Sequence, residues 1–398
     1  MKILGVIEND VSAGGGYFQG LNAILQMNDI CNNNNIQFEV ATISEKSIYF
    51  FKQKKIEAFC YKLSVFDKII HKVLSNSLVK FGFDYLGLNL LYPIERKLKQ
   101  ANPDLLYFIQ PSSIPLYIKN INFIYTVWDL CHRDFPEFPE VRNNNIFRNR
   151  EYKYKMILPE SSLIIVDSDI TAEKISNYYG INSDRMLVMP FSPNPFIKEI
   201  SKDKLLDGLN VMNITGSYLF YPAQFWPHKN HIGLLKSIII LRERGHDINL
   251  ILVGGDKGNK DFIAKFINEN NLSNQVKIFG FVSSDELNVL YSGCSSVIMP
   301  TFFGPTNLPP LEAWTYNKPL IYSSLYTEQV DNAAIYVDPF NPESIADGIL
   351  MSSNADKIFE IVENGKKRIS FFELEKKNSQ KNLEIFILKY SCLKENWQ

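Results

Sequence analysis

The sequence lacks the features that mark extracellular, membrane-spanning or nucleic-acid-binding proteins. Its five cysteines, at positions 31, 60, 131, 294 and 392, are scattered and form no C-x-x-C pair, which argues against a disulfide scaffold or a structural zinc site. Lysine plus arginine (42) nearly equals aspartate plus glutamate (43), so no overall positive field would attract nucleic acid. No run reaches the ~20 apolar residues of a membrane helix, and Glu8 ends the first apolar stretch too early for a signal peptide. We therefore expect a cytoplasmic protein.

What is present is ordinary globular composition, with 398 residues of which 45% are hydrophobic, 13% aromatic and 21% charged. This length allows two domains, each with its own core. Short apolar runs followed by helical stretches recur along the chain, which predicts parallel strands in βαβ units and two Rossmann-like domains. The predicted strands are 3–7, 37–42, 105–109, 123–127 and 163–166 in the first half, then 219–221, 249–253, 276–279, 296–299, 320–322 and 334–337. The proline-rich segment 190–195 is interpreted as the linker between the halves.

A run of three glycines, Gly14, Gly15 and Gly16, follows the first predicted strand. Glycine lets a backbone approach a ligand closely before the next helix begins. The spacing differs from the G-x-G-x-x-G dinucleotide fingerprint. A flexible loop and a phosphate or acceptor loop are both compatible with it.

Lys229 lies at the strand-to-helix junction that opens the second half. In open α/β sheets this edge faces the crevice where ligands bind, and an ammonium there can neutralise a phosphate. The alternative is a solvated surface lysine.

A stronger signal lies in the stretch from Met299 to Trp314. A strand ends, a Gly-Pro turn follows, and two prolines open a helix, where a missing N–H costs nothing. The N–H groups of Thr306, Asn307 and Leu308, with the helix dipole, predict an anion site. Glu312, one turn further, is placed to accept hydrogen bonds from a vicinal diol such as ribose. The alternative is an ordinary capped helix.

These residues belong to a set of motifs. The set comprises Pro300-Thr-Phe-Phe-Gly-Pro-Thr-Asn-Leu-Pro-Pro-Leu-Glu-Ala313, Ala223-Gln224 with Lys229-Asn230, Leu252-Val-Gly-Gly255, Gly280-Phe-Val282, and Val127-Trp-Asp129-Leu-Cys-His132 with Phe135-Pro-Glu137. Over roughly residues 120–340 the chain resembles the family 4 retaining glycosyltransferases of the GT-B fold.

The resemblance implies an α/β fold of two Rossmann-like domains that face each other across a cleft. An acceptor domain would span 1–190, a donor domain 191–370, and a C-terminal helix, 371–398, would cross back to the first domain. The implied activity is transfer of a sugar, with retention, from a nucleotide diphosphate sugar to a glycan or lipid-linked acceptor, in surface polysaccharide biosynthesis, without a metal or other cofactor. The implied donor-binding residues are Gln224, Lys229, Gly254, Phe281, Val282, Thr306, Asn307, Leu308 and Glu312.

Three positions depart from the family pattern. Gly304 replaces the first glutamate of the E-x7-E pair, Gln224 replaces an arginine, and Trp128 replaces a histidine. Two other functions therefore stay open: a catalytically silent GT-B module that binds a nucleotide sugar or a partner, and a GT-B nucleotide-sugar epimerase. For the catalytic group we expect Lys229, with Asp129 and His132 lining the cleft opposite the donor. The alternative for Asp129 and His132 is a structural role in their loop.

Two further stretches allow more than one reading. Asp167-Ser-Asp169 is a D-x-D sequence, the metal motif of GT-A enzymes, but a helix start is favoured there because serine and aspartate are common N-caps. The segment 46–80 holds eight lysines against one glutamate and one aspartate, with aromatic residues interleaved. It predicts either docking on anionic lipid at the inner face of the membrane, or solvated helices whose aromatic side chains belong to the core.

Overall fold

A computed structural model describes residues 1–9, 14–74 and 92–397. This part of the chain divides into two compact units. The first comprises Met1–Leu130, Arg148–Pro190 and Lys376–Gln398, and the second comprises Cys131–Phe147 and Phe191–Glu375.

Residues 131–147 belong to the second unit, whereas the sequence analysis assigned all of 1–190 to the first domain. Phe135 stacks on Phe303 with ring centroids 5.5 Å apart, and Phe138 meets the same ring edge-on at 5.2 Å. Cys131 and Val141 are buried in the same apolar cluster. Removing these side chains from water holds the segment against the second unit.

The first unit is built on a seven-stranded parallel sheet in the order β3-β2-β1-β4-β5-β6-β7. Its strands are β1 (Lys2–Ile7), β2 (Gln37–Thr42), β3 (Glu57–Cys60), β4 (Leu105–Phe108), β5 (Phe123–Val127), β6 (Leu163–Val166) and β7 (Met186–Val188). The five predicted strands are confirmed, and β3 and β7 were missed. Both missed strands lie at sheet edges and none of their residues is fully buried. β3 begins with an exposed glutamate and has no continuous apolar run of the kind typical of a central parallel strand, whereas β7 is apolar throughout and was missed although it carries such a run.

The second unit is built on a six-stranded parallel sheet in the order β10-β9-β8-β11-β12-β13. Its strands are β8 (Tyr218–Pro222), β9 (Asn249–Val253), β10 (Val276–Phe279), β11 (Ser296–Met299), β12 (Leu320–Ser323) and β13 (Ile335–Val337). All six were predicted, because buried parallel strands appear as short apolar runs. The predicted class, two Rossmann-like α/β halves, is therefore confirmed.

Helices connect the strands of both sheets. In chain order they are α1 (Gly15–Asn33), α2 (Glu45–Gln53), α3 (Val65–Leu74), α4 (Pro93–Lys99), α5 (Cys131–Asp134), α6 (Pro139–Arg142), α7 (Ile146–Ile157), α8 (Asp169–Tyr179), α9 (Lys202–Val211), α10 (His231–Glu243), α11 (Lys260–Glu269), α12 (Ser284–Gly293), α13 (Leu308–Thr315), α14 (Pro342–Met351) and α15 (Ala355–Lys394). Among the described residues, no helix has the length and apolar character needed to cross a bilayer.

The last helix, α15, is 40 residues long. The chain passes from the second unit to the first within it, between Glu375 and Lys376. In its final turns Tyr390 donates a hydrogen bond to the Asp104 carbonyl at 3.0 Å, and Lys394 forms an ion pair with the Asp104 carboxylate. These contacts attach the end of the chain to the first unit.

Each sheet reverses its direction of growth at one point. In the second sheet the chain moves outward from β8 to β9 and β10, then returns to place β11 on the other side of β8. In the first sheet the same reversal occurs between β1 and β4. The crevice outside the carboxyl ends of the two strands at such a switch point is where open α/β sheets bind ligands.

Candidate active site

Lys229 lies at the switch point of the second sheet, in a short 3₁₀ turn (Pro227–Lys229) that follows β8. Its Nζ donates a hydrogen bond to Asn307 Oδ1 at 3.0 Å. Its carbonyl accepts one from the hydroxyl of Tyr221 at 2.7 Å. Asn307 follows β11, so the structure brings together two residues that were predicted from separate motifs, one from each strand of the switch point.

Asn230, which follows Lys229, holds this turn to the neighbouring loops. Its backbone is left-handed, with φ of 56°, and its Oδ1 caps α10 by accepting from the Gly233 N–H at 3.2 Å. Its Nδ2 donates to the carbonyls of Pro300 at 3.1 Å and Pro339 at 2.7 Å. Every polar group of the carboxamide is therefore used in the buried loop, which restricts the position of Lys229.

Asn307 is held by hydrogen bonds from both its backbone and its side chain. Its N–H donates to Gln329 Oε1 at 2.8 Å, and Gln329 Nε2 donates to the Asn307 carbonyl at 2.7 Å. Its Nδ2 donates to the Gly304 carbonyl and to the Tyr322 hydroxyl, both at 2.8 Å. The reciprocal pair with Gln329 locks the backbone, and the other bonds aim the Oδ1 at Lys229. Gln329 lies 22 residues away in the chain, and no pattern in the sequence marks it as a partner of Asn307.

This geometry corrects the predicted anion site at the start of α13. Asn307 is the N-cap residue, but its side chain does not cap the helix, and its N–H is taken by Gln329. Pro309 and Pro310 have no N–H to offer. Of the three predicted donors, Thr306 and Leu308 stay predictions. The Asn307 N–H already has a partner in Gln329, and the Asn307 side chain accepts a hydrogen bond from Lys229.

The backbone conformation explains why a glycine, Gly304, stands at the position of the family glutamate. Gly304 has φ of 118°, a region that side chains of L residues rarely occupy. A Cβ at this position would lie 3.2 Å from the Asn307 carboxamide. The loop therefore uses the carbonyl of Gly304 as an acceptor for Asn307, in a conformation that a glutamate would strain.

Glu312 is buried one turn into α13. Its Oε2 accepts a hydrogen bond from the Tyr291 hydroxyl at 2.5 Å. Burial raises the pKa of the carboxyl to about 7, although hydrogen bonds from Tyr291 and from the Asn194 backbone act in the opposite direction. No pattern in the sequence marks Tyr291 as the partner of Glu312. The contact of Glu312 with ribose stays a prediction.

The other predicted donor residues occupy different environments. Gln224 Oε1 accepts from the indole N–H of Trp226 at 3.0 Å. Gly254 allows two loops to touch, because a Cβ there would lie 2.2 Å from the Ala223 carbonyl oxygen. Phe281 is exposed, and Val282 is partly buried against the core of the second unit.

In the first unit, the acidic residue predicted to be catalytic is paired. Arg150 on α7 donates to Asp129 Oδ1 at 2.8 Å and to its carbonyl at 2.9 Å. Burial alone would lower the pKa of the Arg150 guanidinium, but the charge of Asp129 raises it above its ordinary range. The charge of Asp129 is thus largely neutralised within its own unit, and its catalytic role stays a prediction.

His132 is corrected from a cleft residue to a core residue. Its side chain is fully buried, and its ring lies edge-on to Phe147 with centroids 5.5 Å apart. It belongs to the 131–147 segment of the second unit, whereas Asp129 belongs to the first. A ring with no exposed surface has no face on which to receive a substrate.

The glycine run is partly explained by packing. Gly14 has φ of 62° and precedes α1, which begins at Gly15. A Cβ on Gly16 would lie 3.1 Å from the ring of Trp128. Trp128, which stands in place of the family histidine, therefore leaves little room for a side chain at Gly16. Ligand contact through Gly14, Gly15 and Gly16 stays a prediction.

Charged side chains that the sequence analysis missed surround the switch point of the first sheet. Glu8 directly follows β1, and burial raises the pKa of its carboxyl despite opposing effects of Ser112 and Lys153. Burial lowers the pKa of Lys153 on α7 to about 8; Arg150 reinforces this effect, while Glu8 and Asp129 oppose it. Glu8 could have been found from the sequence because it directly follows a predicted strand, whereas Lys153 lies within a helix and has no such signal.

The two ambiguous stretches are also resolved in part. Ser168 is the N-cap of α8 and accepts from the Thr171 N–H at 3.3 Å, as predicted. Among the described residues, no group of His, Cys, Asp and Glu side chains is arranged to hold a metal. In the lysine-rich segment, Phe51 and Tyr61 are buried core residues, while Phe66 is 70% exposed. Lys80 and the side chain of Lys72 lie outside the described part of the chain.

Comparison with known proteins gives a family match in the second unit. Residues 212–368 match the family described as glycosyl transferases group 1. The match lies entirely within the second unit. The matched range contains both strands of the switch point, together with Lys229, Asn307 and Gln329.

Two curated relatives and one solved structure extend the comparison. The O-antigen chain mannosyltransferase RfbU of Salmonella typhimurium is 25% identical over 194 residues, covering 48% of this chain and 50% of that protein. The O-antigen chain mannosyltransferase B of Escherichia coli is 25% identical over 227 residues, covering 56% and 60%. The chain thus spans about half to three fifths of these relatives. Anabaena Alr3699/HepE, solved with UDP and glucose, superposes with a TM-score of 0.71 at 16% identity, over 96% of this chain and 99% of that one. The fold is that of GT-B glycosyltransferases.

Proposed function

We propose that this protein is a glycosyltransferase that moves a sugar, with retention, from a nucleotide diphosphate sugar to a glycan or lipid-linked acceptor. The observation that carries the proposal is the pair formed by Lys229 and Asn307, which join the carboxyl ends of β8 and β11 at the switch point. A cation fixed at this edge of a sheet is suited to bind a diphosphate.

The chemistry follows from where charge develops. When the bond between the sugar and the diphosphate breaks, negative charge builds up on the departing phosphate oxygens. An ammonium already held in position stabilises that charge without reorganising, which is usually a large catalytic contribution. Asn307 supplies the positioning, because its carboxamide is itself fixed by Gly304 and Tyr322. The proposal requires no metal.

Two relatives named as O-antigen chain mannosyltransferases support a role in surface polysaccharide biosynthesis. The solved neighbour holds UDP and glucose, so a uridine diphosphate sugar is one candidate donor. A nucleotide diphosphate mannose is the other, because both relatives are named as mannosyltransferases. The experiment is a donor panel that includes UDP-glucose and GDP-mannose, with release of the nucleoside diphosphate as the readout and EDTA in a parallel series. Retention is tested by NMR of the anomeric proton of the first product.

Lys229→Met provides the decisive variant. We expect turnover at saturating donor to fall by roughly 10²–10³, the usual effect of losing one transition-state donor. The matched control is Lys236→Met, an exposed lysine of α10 in the same unit, which should retain full activity. Unchanged turnover in Lys229→Met would place the diphosphate elsewhere.

Contact with an anionic membrane through the segment 46–80 belongs to the same proposal, at the cytoplasmic face where a lipid-linked acceptor would be met. On α3, four apolar side chains are between 52% and 75% exposed: Val65, Phe66, Ile69 and Val73. Lysines of the same segment would attract anionic lipid. Phe66→Ser should reduce the amount of protein that sediments with anionic phosphatidylglycerol vesicles. It should not change the amount that sediments with zwitterionic phosphatidylcholine vesicles. Phe359→Ser, which alters an equally exposed phenylalanine of the second unit, is the control.

A catalytically silent binding module is the second candidate. It is favoured by Gln224, which replaces a cationic family residue and is held by Trp226, and by Gly304 in place of the glutamate. If calorimetry shows that a donor binds, and neither transfer nor slow hydrolysis of that donor occurs with any acceptor tested, this alternative is favoured.

A further inference from the structure

Glu140 and His228 form a close charged pair inside the second unit. The Nδ1 of His228 lies 2.6 Å from Glu140 Oε1, and the His228 backbone N–H donates to the same oxygen at 3.0 Å. Glu140 is on α6, in the segment 131–147, while His228 directly precedes Lys229. The two side chains are only 8% and 12% exposed.

Aromatic rings fix the plane of this imidazole. Phe303 stacks on His228 with centroids 3.8 Å apart and ring planes 13° from parallel. The ring of Trp226 lies 6.4 Å away at 27°. The His228 carbonyl accepts from the Phe302 N–H at 2.9 Å. The histidine therefore lies against the loop after β11, the same loop whose Asn307 holds Lys229.

The pair has a defined protonation pattern. Burial opposes ionisation of Glu140, but the hydrogen bonds from the side chain and backbone of His228 outweigh it, so the pKa of the carboxyl lies below its ordinary value. An ionised carboxylate only accepts hydrogen bonds, so Nδ1 of the histidine carries a hydrogen. When His228 gains a second proton, it gains it at Nε2, and Glu140 stabilises the resulting imidazolium.

We infer that His228, held by Glu140, is a second cationic hydrogen-bond donor for the diphosphate and replaces the positive charge that is lost at Gln224. The inference rests on the proposed function. It explains why a turn with one fewer cation than its family pattern places a carboxylate-supported histidine beside Lys229.

The neighbouring charges are consistent with this assignment. Lys229 is adjacent in the chain, and the Nζ of Lys257 lies 5.7 Å from the centroid of the Trp226 ring. His231 is fully buried, and burial, with contributions from Lys229 and His228, lowers its pKa to about 3, so it stays neutral. Glu140 forms an ion pair with His228 when the imidazole is protonated.

The test compares affinities for inorganic pyrophosphate by calorimetry at pH 6.0 and pH 8.5. At pH 6.0 the wild type should bind pyrophosphate about tenfold more tightly than His228→Gln, which is the size of one charge-assisted hydrogen bond. At pH 8.5, where an imidazole is ordinarily neutral, the difference should be less than about twofold. Ionisation of the ligand cancels because both proteins meet the same ligand at each pH. His246→Gln, at an exposed histidine of the same unit, should match wild type.

Glu140→Gln separates this role from a structural one. The amide can keep the contact with Nδ1 but not the charge, so the pKa of His228 measured by NMR should fall and the low-pH advantage should shrink. In wild type, adding pyrophosphate should raise the pKa of His228 by about one unit, as linkage requires for a tenfold effect. This readout needs no variant to fold.

Two results overturn the inference: the same ratio of wild-type to His228→Gln affinity at both pH values, or a His228 pKa that does not move with pyrophosphate. Lys229→Met distinguishes this failure from failure of the proposed function. If Lys229→Met weakens binding while His228→Gln does not, only the inference fails. If Lys229→Met binds pyrophosphate as wild type does, the phosphate site itself is wrong.

Discussion

Lys229 and Asn307 are 78 positions apart in the chain, yet Nζ of one lies 3.0 Å from Oδ1 of the other. The pair joins the two strands at which the second sheet reverses direction. It is maintained from both sides: Asn230 fixes the lysine turn, and Gln329 fixes the asparagine backbone.

Gln329→Leu should weaken both the fold and the donor site. The substitution leaves the buried N–H and carbonyl of Asn307 without the reciprocal bonds of 2.8 and 2.7 Å, at a cost of about 1–3 kcal/mol in the free energy of unfolding. The donor KM should rise, since Asn307 no longer holds Lys229 in one position. Urea denaturation and donor kinetics measure the two effects. Gln275→Leu, which removes an exposed side-chain bond to Asp247, should change neither.

The conservative Gln329→Glu separates the two halves of the reciprocal pair. A carboxylate still accepts from the Asn307 N–H but no longer donates to its carbonyl. Its stability and donor KM should lie between those of wild type and Gln329→Leu. A donor KM equal to wild type in Gln329→Leu would show that Asn307 positions Lys229 without this support.

Glu312 should make stability depend on pH. Its pKa is raised from 4.5 to about 7, chiefly by burial, so the folded state binds the proton more tightly than the unfolded chain. The stability from this group is therefore complete below pH 4.5 and is lost as the pH rises through about 7, to an extent on the order of 3 kcal/mol at most.

Glu312→Gln imitates the protonated form and should remove that loss. Relative to wild type, the variant should gain free energy of unfolding between pH 5 and pH 8, as measured by urea denaturation at both values. Parallel curves for the two proteins would contradict the raised pKa. The same variant should bind nucleotides less tightly if Glu312 accepts from ribose, which calorimetry tests independently.

Gly254→Ala should destabilise the second unit. A Cβ at this position would lie 2.2 Å from the Ala223 carbonyl oxygen, and both backbones would have to move apart, at a cost of about 1–3 kcal/mol. Gly255→Ala is the matched control, because a Cβ there meets nothing within 4 Å. Thermal unfolding of the two variants should differ clearly. Equal melting temperatures would indicate that the loops tolerate separation.

Gly304→Glu should not restore a family-like enzyme. The backbone at Gly304 has φ of 118°, and a side chain there costs about 1–3 kcal/mol in strain. The change should also disturb the bond from Asn307 to the Gly304 carbonyl and so lower turnover. Higher turnover than wild type would show that the loop can adopt another conformation.

Much of the fold was predictable because burial leaves a direct pattern in the chain. The central strands of both sheets are short apolar runs, and all of them were located. The edge strand β3 was not located because it begins with an exposed glutamate and carries no such run, and the edge strand β7 was missed although its three residues are apolar. Lys229 was selected as a site residue because it follows a strand whose carboxyl end faces the crevice where ligands bind. Asn307 was selected because the N–H groups at the start of its helix predict an anion site.

The tertiary structure alone decided which groups meet. Gln329, Tyr291 and Glu140 are ordinary residues in the sequence, and their roles arise because packing brings them within hydrogen-bond distance of Asn307, Glu312 and His228. The same packing removed His132 from the surface. Apolar periodicity records how deeply a segment is buried, but a hydrogen bond depends on a separation of about 3 Å between atoms on different elements. Such separations are determined only when the sheets and their loops assemble.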